Sequence, residues 1–161
     1  MERITRILNE FLEQFGLTAT PSENFNYNFE DNTVGYSLVV PTEGYEHLTE
    51  FLHSIAPDIV CDIFLLSLLH EIGHSETWGA ISEDEEIECR GIKKRINFAM
   101  GFAEGDIVKN LYFEYFNLID EYEATMWAVN YMRNNVETIS KFWKKLQAEI
   151  MAFYIREGVE F

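Results

Sequence analysis

Ile59-Val60-Cys61-Asp62-Ile63-Phe64-Leu65-Leu66-Ser67-Leu68-Leu69-His70-Glu71-Ile72-Gly73-His74-Ser75-Glu76 is apolar on nearly every side until it reaches a pair of histidines. A helix of that character runs through the middle of a core rather than along its surface. Pro57 closes the preceding segment, Asp58 stands ready to cap the new helix, and Trp78-Gly79 end it. On such a helix His70 and His74 lie one turn apart on one face, with β-carbons about 5 to 6 Å apart. Both imidazoles then reach one ion. Zinc takes neutral imidazole nitrogens at about 2.0 to 2.1 Å, and a catalytic site uses three protein ligands and leaves the fourth position to water. Glu71 follows the first histidine directly, where its carboxylate approaches that water from the side, and is the expected general base of a hydrolytic reaction.

Working outward, Ile4, Ile7, Leu8, Phe11, Leu12 and Phe15 recur at helical spacing before Gly16, which predicts an amphipathic first helix over residues 3 to 15. From Asn24 to Val40 the period changes: Phe25, Tyr27 and Phe29 alternate with asparagines, Glu30-Asp31-Asn32-Thr33 supplies a turn, and Val34 to Val40 resumes β-rich sequence up to Pro41. A hairpin is expected there. A second helix over Thr42 to Ala56 carries Tyr45, Leu48, Phe51 and Leu52 on one face. Beyond the histidines come a charged helix from Ser82 to Met100, a Tyr- and Phe-rich stretch from Asp106 to Leu118, and two more helices over Ile119 to Met132 and Val136 to Arg156. One small sheet with many helices is an α+β arrangement. With 161 residues and 47% hydrophobic content, the chain reads as one domain with a sizeable core.

Twelve basic residues against 28 acidic ones leave a formal charge of -16, which repels a phosphate backbone and argues against nucleic-acid binding. The expected partner is a neutral or basic protein or peptide. No run of eighteen apolar residues marks a membrane span, and the opening Met1-Glu2-Arg3-Ile4-Thr5-Arg6 leads into an amphipathic pattern, so no membrane association is expected. Cys61 and Cys89 form no Cys-x-x-Cys pair, which suits a reducing, cytoplasmic setting, with Cys61 a small buried thiol. His47 and His53 are six residues apart, off helical register, and are assigned to the surface or to partial burial. The run Glu83 to Glu88 reads as a solvated face.

The third ligand remains to be found, and with no His- or Cys-rich stretch after His74 it should be a carboxylate. Asp120-Glu121-Tyr122-Glu123 open a helix whose remainder is strongly apolar, so an acid there projects from a buried element. The pairing of His70-Glu71-Ile72-Gly73-His74 with Glu123-Ala124-Thr125-Met126-Trp127-Ala128 resembles the ImmA/IrrE-type metallopeptidases, short gluzincin domains common in bacteria, mobile elements and phages. The resemblance covers about Asp58 to Met132. It implies a zincin-like fold with the small sheet packed on the histidine helix, and a zinc-dependent endopeptidase acting on a specific protein such as a transcriptional repressor. It also implies Glu123 as the third ligand, with Glu121 and Asp120 the alternatives; if Glu123 binds, Asp120 would orient a ligand histidine. Two features depart from the family: Glu76 stands where an apolar residue is usual, and residues 77–118 make a longer gap than expected, fit to cover a cleft or carry a partner surface.

Zincins of this type bind an extended substrate along a sheet edge, which would be Val34 to Val40 here. Tyr36, Tyr122 and Tyr131 are candidate donors to a tetrahedral oxyanion. Two other functions compete. The charge of -16 also suits a non-catalytic, phage-type acidic inhibitor that keeps a structural zinc, and a purely structural zinc domain would offer no open coordination position.

Overall fold

A computed structural model describes residues 1–39 and 43–159. Val40, Pro41 and Thr42, where the sequence ends the hairpin and begins the next helix, lie outside the described residues. Seven helices and a three-stranded sheet make up the described chain, an α+β architecture dominated by helix. It divides into two compact units, Met1–Val40 with Asn130–Phe161 and Pro41–Val129. No helix among the described residues is long and apolar enough to cross a membrane.

In the first unit, α1 (Glu2–Leu12) buries Ile4, Ile7, Leu8, Phe11 and Leu12 along one stripe. Each such side chain contributes about 1.5 to 3 kcal/mol by leaving water. A 3₁₀ turn, Glu13–Phe15, follows, and Gly16 closes it in the left-handed region at φ 69°, which a residue without a β-carbon adopts freely. The stripe packs on α7 (Val136–Glu157), whose Ile139, Phe142, Leu146 and Ile150 recur at helical spacing, with Phe11 and Phe142 stacked at 3.9 Å between ring centroids. The sheet has the order β1 (Thr18–Pro21), β3 (Thr33–Tyr36), β2 (Asn26–Asn28), with β1 parallel and β2 antiparallel to β3.

The hairpin therefore forms, but two expectations change. Thr18–Pro21, given no element in the sequence, is a strand, its outward Ala19 N–H donated to Asn9 Oδ1 of α1 at 2.6 Å. Because β1 and β2 flank β3, the strand proposed to receive a peptide is central and has no free edge over Thr33–Tyr36. The β-rich character of this stretch reflects its burial, with Val34, Gly35 and Tyr36 all inside.

The second unit is helical. α2 (Glu43–Ile55) packs on α3 (Ile63–Glu76) and α5 (Asp106–Phe116), and α4 (Glu83–Met100) packs on α5. α6 (Ile119–Asn134) starts in this unit. α3 begins four residues later than the sequence suggests: Asp62, not Asp58, is its N-cap, accepting the Phe64 N–H at 2.8 Å. From Leu65 to Gly73 every residue of α3 is buried, as an all-round apolar helix should be. α4 starts at a capping box in which Ser82 and Glu85 satisfy each other's backbone N–H groups. Its inward stripe is Cys89, Ile92, Lys93 and Ile96.

Candidate metal centre

α3 and α6 cross with almost no space between them at Gly73. A β-carbon there would stand 2.3 Å from the Ala124 carbonyl oxygen. Ala124 and Ala128 are fully buried, so small residues on α6 meet a glycine on α3 and the two backbones touch. That approach carries the first turn of α6 alongside the last turns of α3, where the histidines are.

Glu121 is the acid delivered. Its Oε2 lies 2.9 Å from His70 Nε2 and 3.3 Å from His74 Nε2. Ligand atoms on a tetrahedral zinc sit about 3.4 Å apart for bonds near 2.1 Å; the two Glu121 distances are close to that spacing, and the ligand atoms of all three residues lie within 4.8 Å of one another. Among the described residues, His70, His74 and Glu121 form the group of ligand-type side chains that converge in this way. Glu123, which the family resemblance favours, is exposed and stands outside the group. The reason is helical geometry: two residues rotate a side chain by about 200°, so when Glu121 faces inward with Thr125, Glu123 faces out.

The orientation of His70 follows from Thr125. The Thr125 hydroxyl donates to the Glu121 carbonyl oxygen at 2.9 Å, and its one proton is thereby committed. It therefore accepts from His70 Nδ1–H at 3.1 Å. A neutral His70 in that tautomer turns an unprotonated Nε2 towards Glu121 Oε2, an opposition of lone pairs that only a shared proton or a cation relieves. Zinc-binding histidines are commonly held by such a partner on the other ring nitrogen. With Glu123 as the ligand, helical spacing would give this role to Asp120. Asp120 instead takes Lys93 Nζ on one oxygen and the Glu121 N–H on the other.

Charge is concentrated here. Burial alone would lower the His74 pKa, but the charge and hydrogen bond of Glu121, with the charge of Glu71, outweigh it and raise it to about 9. Burial likewise opposes ionisation of Glu121, yet His74, His70 and their hydrogen bonds hold its carboxyl well below the usual range. Lys93 Nζ lies 2.6 Å from Glu121 Oε1 and 5.1 Å from the Tyr115 ring centroid. Burial and the nearby Glu121 push the Tyr115 hydroxyl above its ordinary pKa. The stretch 77–118 thus contributes Lys93 from α4 and Tyr115 from α5 to the surroundings of Glu121. The signal for Lys93 was present in the sequence: it falls between Cys89 and Ile96 on the stripe of α4 that should be apolar.

Glu71 is buried on α3 next to these groups, and its charge acts on His74. Of the three tyrosines considered as oxyanion donors, Tyr36 pairs its hydroxyl with Thr5 Oγ1 and Tyr131 with Gln14 Oε1, both in the first unit. Tyr122 packs edge-on against Phe51. His53 is exposed, and His47 pairs with Glu50 and stacks on Tyr112. Cys61 is only half-buried, its thiol pushed up to about 11 by burial and then Asp62. No protein-family model, curated protein or solved structure matches the chain.

Proposed function

We propose that the chain is a zinc-dependent endopeptidase of zincin type, in which His70, His74 and Glu121 hold the metal and Glu71 is the general base. The observation that carries this reading is the meeting of Glu121 Oε2 with the Nε2 atoms of both histidines, two turns of sequence pattern brought to one point from helices 50 residues apart. The donor set, two imidazole nitrogens and one carboxylate oxygen, is that of hydrolytic zinc sites. Zinc held by these three residues would supply Lewis acidity for a water and for the scissile carbonyl. Glu71, buried beside His74, would be the group that accepts a proton from the attacking water and returns it to the leaving amine. Thr125 fixes the His70 tautomer, and Lys93 neutralises part of the carboxylate charge that gathers on Glu121, Glu71 and Asp120.

The family resemblance supports the same assignment of His70, Glu71 and His74, while the contacts favour Glu121 over the Glu123 that its downstream signature implies. A substrate segment that is neutral or basic suits a chain of charge -16, and a regulatory repressor in the cytoplasm fits the type. The test has two stages. Purified protein should carry about one zinc per chain, lost on His74→Ala; a wild-type chain without zinc refutes the assignment. Glu71→Gln should then keep the metal and lose cleavage of a peptide library scored by mass spectrometry. A metallated but inactive wild type, with Glu71→Gln leaving its biological effect intact, would instead point to the acidic binding protein with a structural zinc.

A further inference from the structure

Lys93 divides the Glu121 carboxylate between two tasks. Nζ sits 2.6 Å from Oε1, while Oε2 faces His70 and His74 at 2.9 and 3.3 Å. The same ammonium group lies 2.5 Å from Asp120 Oδ2, and Asp120 Oδ1 accepts the Glu121 N–H at 2.8 Å, so the lysine is held from the backbone of α6 as well as from the carboxylate it touches. Glu121 itself is 4% exposed, which removes water as a competing partner for Oε1. A surface pair of this kind would contribute little; here three groups interlock in a half-buried network with short contacts.

We infer that Lys93 is a positioning residue that reserves Oε1, so that Glu121 offers one oxygen rather than two to an ion held by the histidines. The inference rests on the zinc reading and deepens it. A carboxylate free to rotate takes a cation with either one or both oxygens, and the second oxygen would be a fifth ligand beside the water, filling the position into which a hydrolytic site must expand. The long segment between His74 and Glu121 thereby has a defined contribution: α4 carries to the site the cation that keeps one position open. A purely structural Lys93 would join α4 to α6 and have no effect on how the carboxylate meets the metal.

The test uses the full chain loaded with Co2+ in place of zinc. Visible absorption of bound Co2+ is much stronger for four ligands than for five. Wild type should give the intense spectrum, and Lys93→Met, at unchanged cobalt stoichiometry, should lose most of that intensity as Oε1 joins the metal. X-ray absorption of the zinc-loaded wild type needs no variant and should report a single carboxylate oxygen, so the inference stays testable even if Lys93→Met does not fold. Two carboxylate oxygens in wild type, or a Lys93→Met spectrum identical to wild type, would overturn the role of Lys93 and leave the metal site standing. Failure of wild type to bind either metal overturns both.

Discussion

Gly73→Ala and Gly91→Ala are the same substitution in two helices of the second unit, and they should move stability in opposite directions. In an exposed helix interior, replacing glycine by alanine stabilises by about 0.5 to 1 kcal/mol, because the unfolded chain loses freedom and the helix gains a better former. Gly91 lies in α4 with nothing within 4 Å of the added methyl group, so that gain should appear in full. Gly73 lies in α3 with the Ala124 carbonyl oxygen 2.3 Å from the new carbon and the Ala124 carbonyl carbon and Cα at 2.9 and 3.0 Å. Ordinary contact begins near 3.4 Å, so α3 and α6 must separate by about 1 Å, and the obstacle is backbone that cannot rotate away. Overpacking of that kind costs about 1 to 3 kcal/mol, more than the propensity gain. The propensity gain is common to both, so the two variants should differ by the overpacking cost, about 1 to 3 kcal/mol, in urea unfolding of the metal-free protein. Zinc affinity gives a second reading. Ligand distances tolerate only about 0.2 Å, so Gly73→Ala should release zinc that Gly91→Ala retains. If Gly73→Ala is as stabilising as Gly91→Ala and keeps its metal, the helices do not meet as described and the position of Glu121 loses its structural support.

Three further outcomes separate the site from its neighbours. Glu121→Gln should abolish stoichiometric zinc binding while Glu123→Gln leaves it unchanged, as read by metal analysis after gel filtration; the reverse pattern would restore Glu123 as the ligand. Thr125→Val keeps the shape of the side chain but removes the acceptor for His70 Nδ1, and should weaken zinc by about 10- to 100-fold in a chelator competition; an unchanged affinity would mean that the threonine only packs. The third concerns pH. The His74 pKa is raised from 6.5 to about 9, so its pairing with Glu121 stabilises the metal-free protein fully below about 6.5, and this contribution is lost as pH rises towards 9. Zinc must displace the same proton, so its apparent affinity should rise about tenfold per pH unit across that window and flatten above it. A zinc affinity independent of pH between 6.5 and 8.5 would contradict the pairing.

Much of the fold was legible because burial imposes a period. The stripe Ile4, Ile7, Leu8, Phe11, Leu12 names its helix without ambiguity, and the charged helix opens at Ser82 as the sequence suggests. What failed was local sequence without period. Thr18–Pro21 is four residues long, mostly exposed and ends in proline, and its pairing is to a strand 15 residues away that arrives only in the folded chain. The start of α3 was misplaced for a similar reason: Asp58 and Asp62 are equally good caps on paper, and the choice between them depends on where the helix is packed.

The third ligand shows the limit more sharply. Glu121 and Glu123 differ by two positions in a helix whose acids cluster at one end, and neighbouring apolar residues do not decide between them, because Ala124 is buried on one side and Thr125 on the other. The deciding contacts are distant in sequence. Gly73 brings α6 against α3, and Lys93, 28 residues before Glu121, supplies the charge that makes a buried carboxylate tolerable at that position. A lysine on an inward stripe needs a buried acid, and a carboxylate facing two imidazoles needs a counter-ion for its second oxygen. Either requirement alone leaves Glu121 and Glu123 equivalent. Together, with Asp120 next to the acid to complete the lysine's partners, they favour Glu121 over Glu123.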